Sequence, residues 1–538
     1  MARPSSVALE VGALVEGPPK LRVTIASAAV VALVVLGAIL RLPFLTPGLW
    51  RDEGSTYAVV SAPTLGGVIA NLQYNEQTPP LYYVMEHLWI GLAGTSEVAL
   101  RLPSFVCIVA AIALMYALGA YVGSRFTGTI AATIAAIAPL SLTVAMEARA
   151  YGPVILLAGI TLYAFARSSD ATEHNASVKW SLGLIVAMTA LVATHFTGFV
   201  VFAALMIVAV VQAKVRRSEA SLRTFASLAV AGVLALPFLF SMLQHLRTFA
   251  SMADGQNGTT ISRIADHLNA FSPFGAMQAQ IDLALEIGTL VWLASIVVRR
   301  RLDRQDRWGL VMLLIVVFGI VASFKMQMAP ERHLSAYEPA AWTFVALLLD
   351  RFVRWLLQPA KRWELPLRVV TALAILYIGV GGLAEYPRMY RGLLGPISGG
   401  EALAASLDSL HIQEPIELVA IPDSVGPTLF YYLRGTSGVA LRGVGSWENP
   451  QFYSIEPDYW LRPGFERAQL ALIDGYAGAH HAAIVLAVDR NTIHFNDMPA
   501  GRGKQITDAL ERAYGVRYER SFPGRREPLD LIVLGNPR

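Results

Sequence analysis

The segment LYYVMEHLWIGLA, residues 81–93, decides how the rest of the chain is threaded. It is apolar, yet it falls short of the about 20 residues a helix needs to cross a bilayer. It carries Glu86 and His87 and is rich in Tyr and Trp. Pro79 and Pro80 open it, and Thr78 precedes them as a candidate N-cap. These features predict a helix lying in the membrane interface rather than across it. A crossing here would force the arginine-rich loops that follow onto the outer side for much of the chain.

Composition sets the same frame. The chain has 538 residues, of which 55% are hydrophobic and 15% charged, with a net charge of +4. Mean hydropathy is +0.50, too apolar for a soluble globular chain of this length. Nucleic-acid binders gather Lys and Arg in one stripe or tail. Here they form short clusters between apolar runs, so a nucleic-acid partner is not expected. The only cysteine, Cys107, lies in an apolar run and can form no internal disulfide. No repeat with a period of about 20–50 residues is visible.

Candidate spans lie near 23–42, 98–121, 128–146, 152–167, 179–194, 197–213, 222–243, 279–298, 308–324, 335–350 and 368–384. With the N-terminus inside, alternate loops carry Arg125; Arg167 and Lys179; Lys214, Arg216 and Arg217; Arg299 to Arg307; and Arg351 to Arg362. The opposite loops carry only isolated basic residues. The first span is long and lacks a clear small-residue cleavage site, so it reads as a retained anchor. The expected fold class is an α-helical polytopic membrane protein of about eleven spans. Residues 1–22 form an inner tail and 23–384 the membrane domain, with outer loops 43–97 and 244–278. After 385, IELVAIP, AAIVLAV and LDLIVLG read as buried strands, and GPTLFYYLRG and GKQITDALERAYG as helices. Residues 385–538 are therefore expected to form an α/β domain outside the membrane.

The spans hold no mid-membrane Asp, Glu, Lys or Arg. Charges sit at outer ends: Arg41, Arg101, Asp282, Glu286, Lys325 and Glu338. Around them fall Arg51, Asp52, Glu53, Glu76, Glu147, Arg149, Tyr151, His195, Arg263, His267, Glu331, Arg332 and His333. A secondary transporter places such groups near the midplane. An outer boundary site instead suits a substrate with its tail in lipid and its head in water.

RDEGSTY at 51–57, TPPLYYVMEHLWIGLAGTSEVALRLPS at 78–104 and MEARAYGP at 146–153 resemble the bacterial GT-C glycosyltransferases. These include relatives of the dolichyl-phosphate-mannose protein mannosyltransferases and of the aminoarabinose and galacturonic acid transferases. ERHLSAYEPA at 331–340 resembles their late Arg–Tyr stretch, with His333 where Tyr is common. NEQTPP departs from the Asp or His usual before the Pro pair, which leaves Glu76 or Gln77 in that role. The resemblance implies inverting transfer of a hexosyl or pentosyl unit from a polyprenyl-phosphate donor to a hydroxyl on a lipid, polysaccharide or protein. It implies a plasma (inner) membrane enzyme acting at the outer face. Asp52 would be the catalytic base, with Glu53 beside it. Arg51, Glu76, Arg101, Glu147, Arg149, Tyr151 and Arg332 would contact substrate. His195, and His267 with Arg263, read as structural or interfacial rather than catalytic. No cofactor is required and no metal-ligand spacing is visible, although carboxylates beside a phosphate can hold Mg²⁺. Residues 385–538 carry no GxGxxG or P-loop. The alternatives are a lipid or polysaccharide transporter, or a membrane-anchored carbohydrate-binding module.

Overall fold

The computed structural model describes residues 19–76, 78–252, 278–325, 331–359, 364–453, 462–489 and 502–535. Gln77, Arg263 and His267 lie outside these residues, as do the side chains of Asp282 and Lys325.

Apolar runs of sufficient length become long helices. In chain order these begin with α1 (Pro19–Arg41). The loop after it folds into three short helices, α2 (Arg51–Val60), α3 (Leu65–Asn75) and α4 (Leu81–Ala93). Then follow α5 (Glu97–Val122), α6 (Arg125–Ile137), α7 (Pro139–Ala145), α8 (Tyr151–Ser169), α9 (His174–Thr194), α10 (Gly198–Arg216) and α11 (Glu219–Met252). The bundle ends with α12 (Gln278–Arg299), α13 (Arg304–Lys325), α14 (Glu338–Leu357) and α15 (Leu365–Leu393). Each predicted span falls on a helix, except 128–146, which falls on the α6–α7 pair. Among the described residues eight helices are long and apolar enough to cross a membrane, or nine if the bent α6–α7 pair is one span. The chain is a multi-pass membrane protein.

The segment 81–93 is the short helix α4. Tyr82, Tyr83 and Glu86 turn inward while Met85, Leu88 and Leu92 are exposed, an apolar face suited to an interface. The α6–α7 pair bends by 54° at Pro139, which has no N–H to continue the ladder. Arg41 fills the gap. Its guanidinium donates to Ala135 O at 3.1 Å, Ala136 O at 2.8 Å and Ser141 Oγ at 2.6 Å. Arg41 is thus a stitch in the bundle.

The C-terminal domain is a five-stranded sheet in the order β2-β1-β3-β5-β4. β1 (Ile416–Ile421) pairs in parallel with β2 (Val439–Gly443) and β3 (Ala483–Val488), and β5 (Leu529–Leu534) lies antiparallel to β3 and to β4 (Val516–Phe522). Residues of β1, β3 and β5 pack into apolar clusters on both faces of the sheet, as their unbroken apolar runs require. The helices α16 (Gly400–Leu407), α17 (Gly426–Tyr432), α18 (Phe465–His480) and α19 (Arg502–Tyr514) complete the domain.

This domain sits directly on the loop between α1 and α5. A Cβ on Gly54 of α2 would lie 2.6 Å from the Pro427 carbonyl of α17, so only glycine admits this approach. Tyr432 Oη lies 2.6 Å from Leu49 N, and Tyr431 Oη donates to Thr95 O at 2.8 Å.

Candidate active site

Trp50 precedes α2 in an extended conformation, so Asp52 and Glu53 occupy the first turn of the helix, where its positive end favours acids. The helical turn sends these adjacent acids to different places.

Glu53 turns inward. Arg101 Nε and Nη2 grip its carboxylate at 2.7 and 2.6 Å, and both side chains are fully buried. Ala148 N donates to Glu53 Oε1 at 2.9 Å. The remaining Arg101 donors go to the carbonyls of Leu45, Pro47 and Gly48. The pair clasps the 45–48 loop, α2 and α5 together.

Asp52 turns the other way, into a cluster of arginines. Arg332 Nη2 lies 2.6 Å from Asp52 Oδ2, and Arg51 Nε lies 3.1 Å from Oδ1. Burial alone would raise the Asp52 pKa, but Arg332, Arg51 and Arg149 together hold it well below the usual carboxylate range. Arg149 donates to Asp52 O at 3.3 Å and pairs with Glu76 Oε1 at 2.5 Å. Ser55 Oγ also donates to Glu76 Oε1, at 2.8 Å.

Tyr151, at the start of α8, lies with its ring 5.6 Å from the Arg332 guanidinium. His195 and His333 stand 5.6 and 5.7 Å from the same ring. Burial pushes the His195 pKa down to about 4, with Arg149 adding to the shift. Burial also holds the His333 pKa well below the ordinary imidazole value, reinforced by Arg332. Both imidazoles are neutral at physiological pH, so the histidines add no cation to this cluster.

Sequence reasoning missed the contribution of the C-terminal domain. Arg526 Nη1 pairs with Glu147 Oε1 at 2.5 Å, across 379 positions of chain. Its guanidinium lies 4.5 Å from the Trp50 ring, which Arg332 and Arg51 also approach, at 5.1 and 5.6 Å. The loop bearing Arg526 is anchored by Glu527, whose buried carboxylate accepts from Ser398 and Thr428 at 2.5 and 2.8 Å. Tyr453 stacks 5.8 Å from Arg51.

The structure therefore joins Arg51, Asp52, Glu76, Glu147, Arg149, Tyr151 and Arg332 in one cluster and sets Glu53 and Arg101 behind it. Arg51, Arg149, Arg332 and Arg526 pair with Asp52, Glu76 and Glu147, one positive charge in excess. Among the described residues no group of three or more His, Cys, Asp or Glu is placed to hold a metal.

Residues 77–243 match the sequence model of the dolichyl-phosphate-mannose-protein mannosyltransferase family. No curated protein matches the chain significantly. Among solved structures, ArnT from Cupriavidus metallidurans in the apo state superposes with a TM-score of 0.54 at 15% identity, covering 94% of this chain and 98% of that one. The same protein bound to undecaprenyl phosphate gives 0.50 at 13% identity, covering 97% and 100%. The Archaeoglobus fulgidus oligosaccharyltransferase tethered to an acceptor peptide gives 0.52 at 12% identity, covering 91% and 72%. The chain has the GT-C fold, in the form seen in ArnT.

Proposed function

We propose that the protein is an inverting glycosyltransferase that moves a sugar from a polyprenyl phosphate to an acceptor hydroxyl at the outer face of the membrane. The observation that carries this reading is Asp52, a buried, ionised carboxylate ringed by arginines at one end of a membrane bundle. The sequence match to a mannosyltransferase family and the fold shared with a protein solved with undecaprenyl phosphate support it. The loop charge bias supports placing this end outside.

Each group has a task. The donor's lipid tail lies between helices while its phosphate stands among Arg149, Arg332 and Arg526. As the sugar–phosphate bond breaks, the leaving phosphate gains charge, and the excess positive charge of the cluster stabilises it. The acceptor oxygen attacks the anomeric carbon from the opposite side and yields its proton to Asp52. Glu76 and Tyr151 line the approach. Glu53 and Arg101 hold α2 in place rather than react.

Arg332 links the two halves of the reaction. While it binds Asp52 it makes the carboxylate a weak base, because general bases work best with a pKa near ambient pH. An incoming phosphate competes for the same guanidinium. Its arrival loosens the Arg332–Asp52 contact and strengthens the base when the donor is in place.

The test is release of undecaprenyl phosphate from undecaprenyl-phosphate-linked sugars incubated with the purified protein and membrane extract as acceptor. Donor turnover dependent on the acceptor extract supports the reading. Movement of intact donor across vesicles without cleavage would support a transporter instead.

A further inference from the structure

A cavity of about 660 Å³ opens at the end of the bundle remote from Asp52. It lies among the N-terminal ends of α9, α11 and α13 and the C-terminal ends of α5, α8 and α10. The 19 residues of α8 separate it from Tyr151, a rise of about 28 Å. It shares no residue with the cluster around Asp52.

Its wall is built for an anion. Arg216, Arg223, Arg304 and Arg307 line it against Asp170, Glu173 and Glu219, leaving one positive charge in excess. The acids hold the arginines without exhausting them. Arg304 Nη2 lies 3.2 Å from Asp170 Oδ2, Arg216 reaches the same carboxylate only at 3.7 Å, and Arg223 binds Glu219. A guanidinium carries five donors, and the contact with Asp170 engages only one of those on Arg304. The first amides of three helices point toward this end, where a phosphate is favoured. The carbonyl ends of α5, α8 and α10 oppose this, and Arg167 and Arg216 in the last turns of α8 and α10 offset them. Ser169 and Ser177 also line the cavity, and their buried hydroxyls have no hydrogen-bond partner. Beside the polar wall, Val178, Leu182 and Leu222 are exposed and apolar.

We propose that this cavity binds a phosphate-bearing anion, the headgroup of an acidic phospholipid or free phosphate, through Arg216, Arg223, Arg304 and Arg307. The volume falls within the range of small-ligand sites, and Arg binds phosphate oxygens in a planar fork. The exposed apolar residues favour the lipid, whose chains would lie along them. Basic pockets between membrane helices take acidic headgroups by the same electrostatics.

The full chain in detergent is offered equal amounts of phosphatidylglycerol and phosphatidylcholine, and retained lipid is read by native mass spectrometry. We expect preferential retention of phosphatidylglycerol, reduced about tenfold in Arg216→Gln/Arg307→Gln, as for the loss of a charge-assisted hydrogen bond. Lys179→Gln removes a charge at the same end but outside the cavity, and should retain the lipid. The single Arg307→Gln, with an exposed side chain, replaces the double variant if that variant melts early. Competition by millimolar inorganic phosphate would show that free phosphate enters too; retention against it would show a lipid site, and either result supports the proposal. Equal retention of both lipids by the wild type, or an equal loss in Lys179→Gln, would overturn it.

Discussion

Arg332 Nη2 and Asp52 Oδ2 are 2.6 Å apart, a charge-assisted contact between the start of α2 and the loop before α14. Because Arg332, Arg51 and Arg149 outweigh burial and depress the Asp52 pKa, this base stays ionised even in mild acid in the enzyme free of donor. The acid limb of kcat/KM, which reports the free enzyme, should fall below the ordinary carboxylate range of about 4. The acid limb of kcat, which reports the complex, should lie higher, because donor phosphate draws Arg332 away. Coincident limbs would show that donor binding leaves the Asp52–Arg332 contact intact.

The Glu53–Arg101 clasp makes a different prediction. Both side chains are fully buried, so removing one partner leaves an uncompensated charge, a loss of about 3–5 kcal/mol. Arg101→Ala should lower the melting temperature strongly. Glu53→Gln should also lower it. A well-folded Arg101→Ala with normal melting would remove the clasp from the account.

Arg526 tests whether the C-terminal domain serves the reaction. Loss of its charge-assisted contacts should raise the donor KM about ten- to hundredfold with a smaller effect on kcat. Its loop is held by Glu527 rather than by Arg526 itself, so Arg526→Ala should fold normally by circular dichroism. Arg526→Lys should recover only part of the affinity, since an ammonium lacks the planar fork. An unchanged donor KM in Arg526→Ala would make the contact with Glu147 purely structural.

Much of this architecture was legible in the sequence, and the limits have physical causes. Spans show because a bilayer demands long apolar runs, and those runs became helices, the run at 128–146 as the bent α6–α7 pair. Asp52, Arg149 and Arg332 drew notice because charge at the edge of so apolar a chain is unusual. The divergent fates of Asp52 and Glu53 were hidden, since neighbouring helical residues face about 100° apart and only the packed partners reveal which direction leads inward. Arg526 was hidden for another reason. It lies in a loop between two strands of another domain, and no local pattern reports a contact made across 379 positions.

Glu86 supplies a stability prediction in α4, outside the spans. It is 1% exposed and its two carboxylate oxygens have no hydrogen-bond partner. Burial pushes its pKa up to about 8. A raised carboxyl contributes stability below its unfolded pKa of about 4.3 and loses it as pH rises toward the folded value. Melting temperature should therefore decline between mildly acidic and mildly alkaline pH, and Glu86→Gln should flatten that decline. An identical slope in both proteins would mean that Glu86 does not carry it.

The central claim is that Asp52 accepts the acceptor's proton. Asp52→Asn keeps the shape of the side chain, removes the base and frees Arg332 for phosphate. The decisive measurement is the rate of sugar transfer by purified Asp52→Asn alongside its affinity for undecaprenyl phosphate. The account predicts a fall in turnover of about a hundredfold or more with affinity retained or improved. Transfer at a near wild-type rate would contradict it.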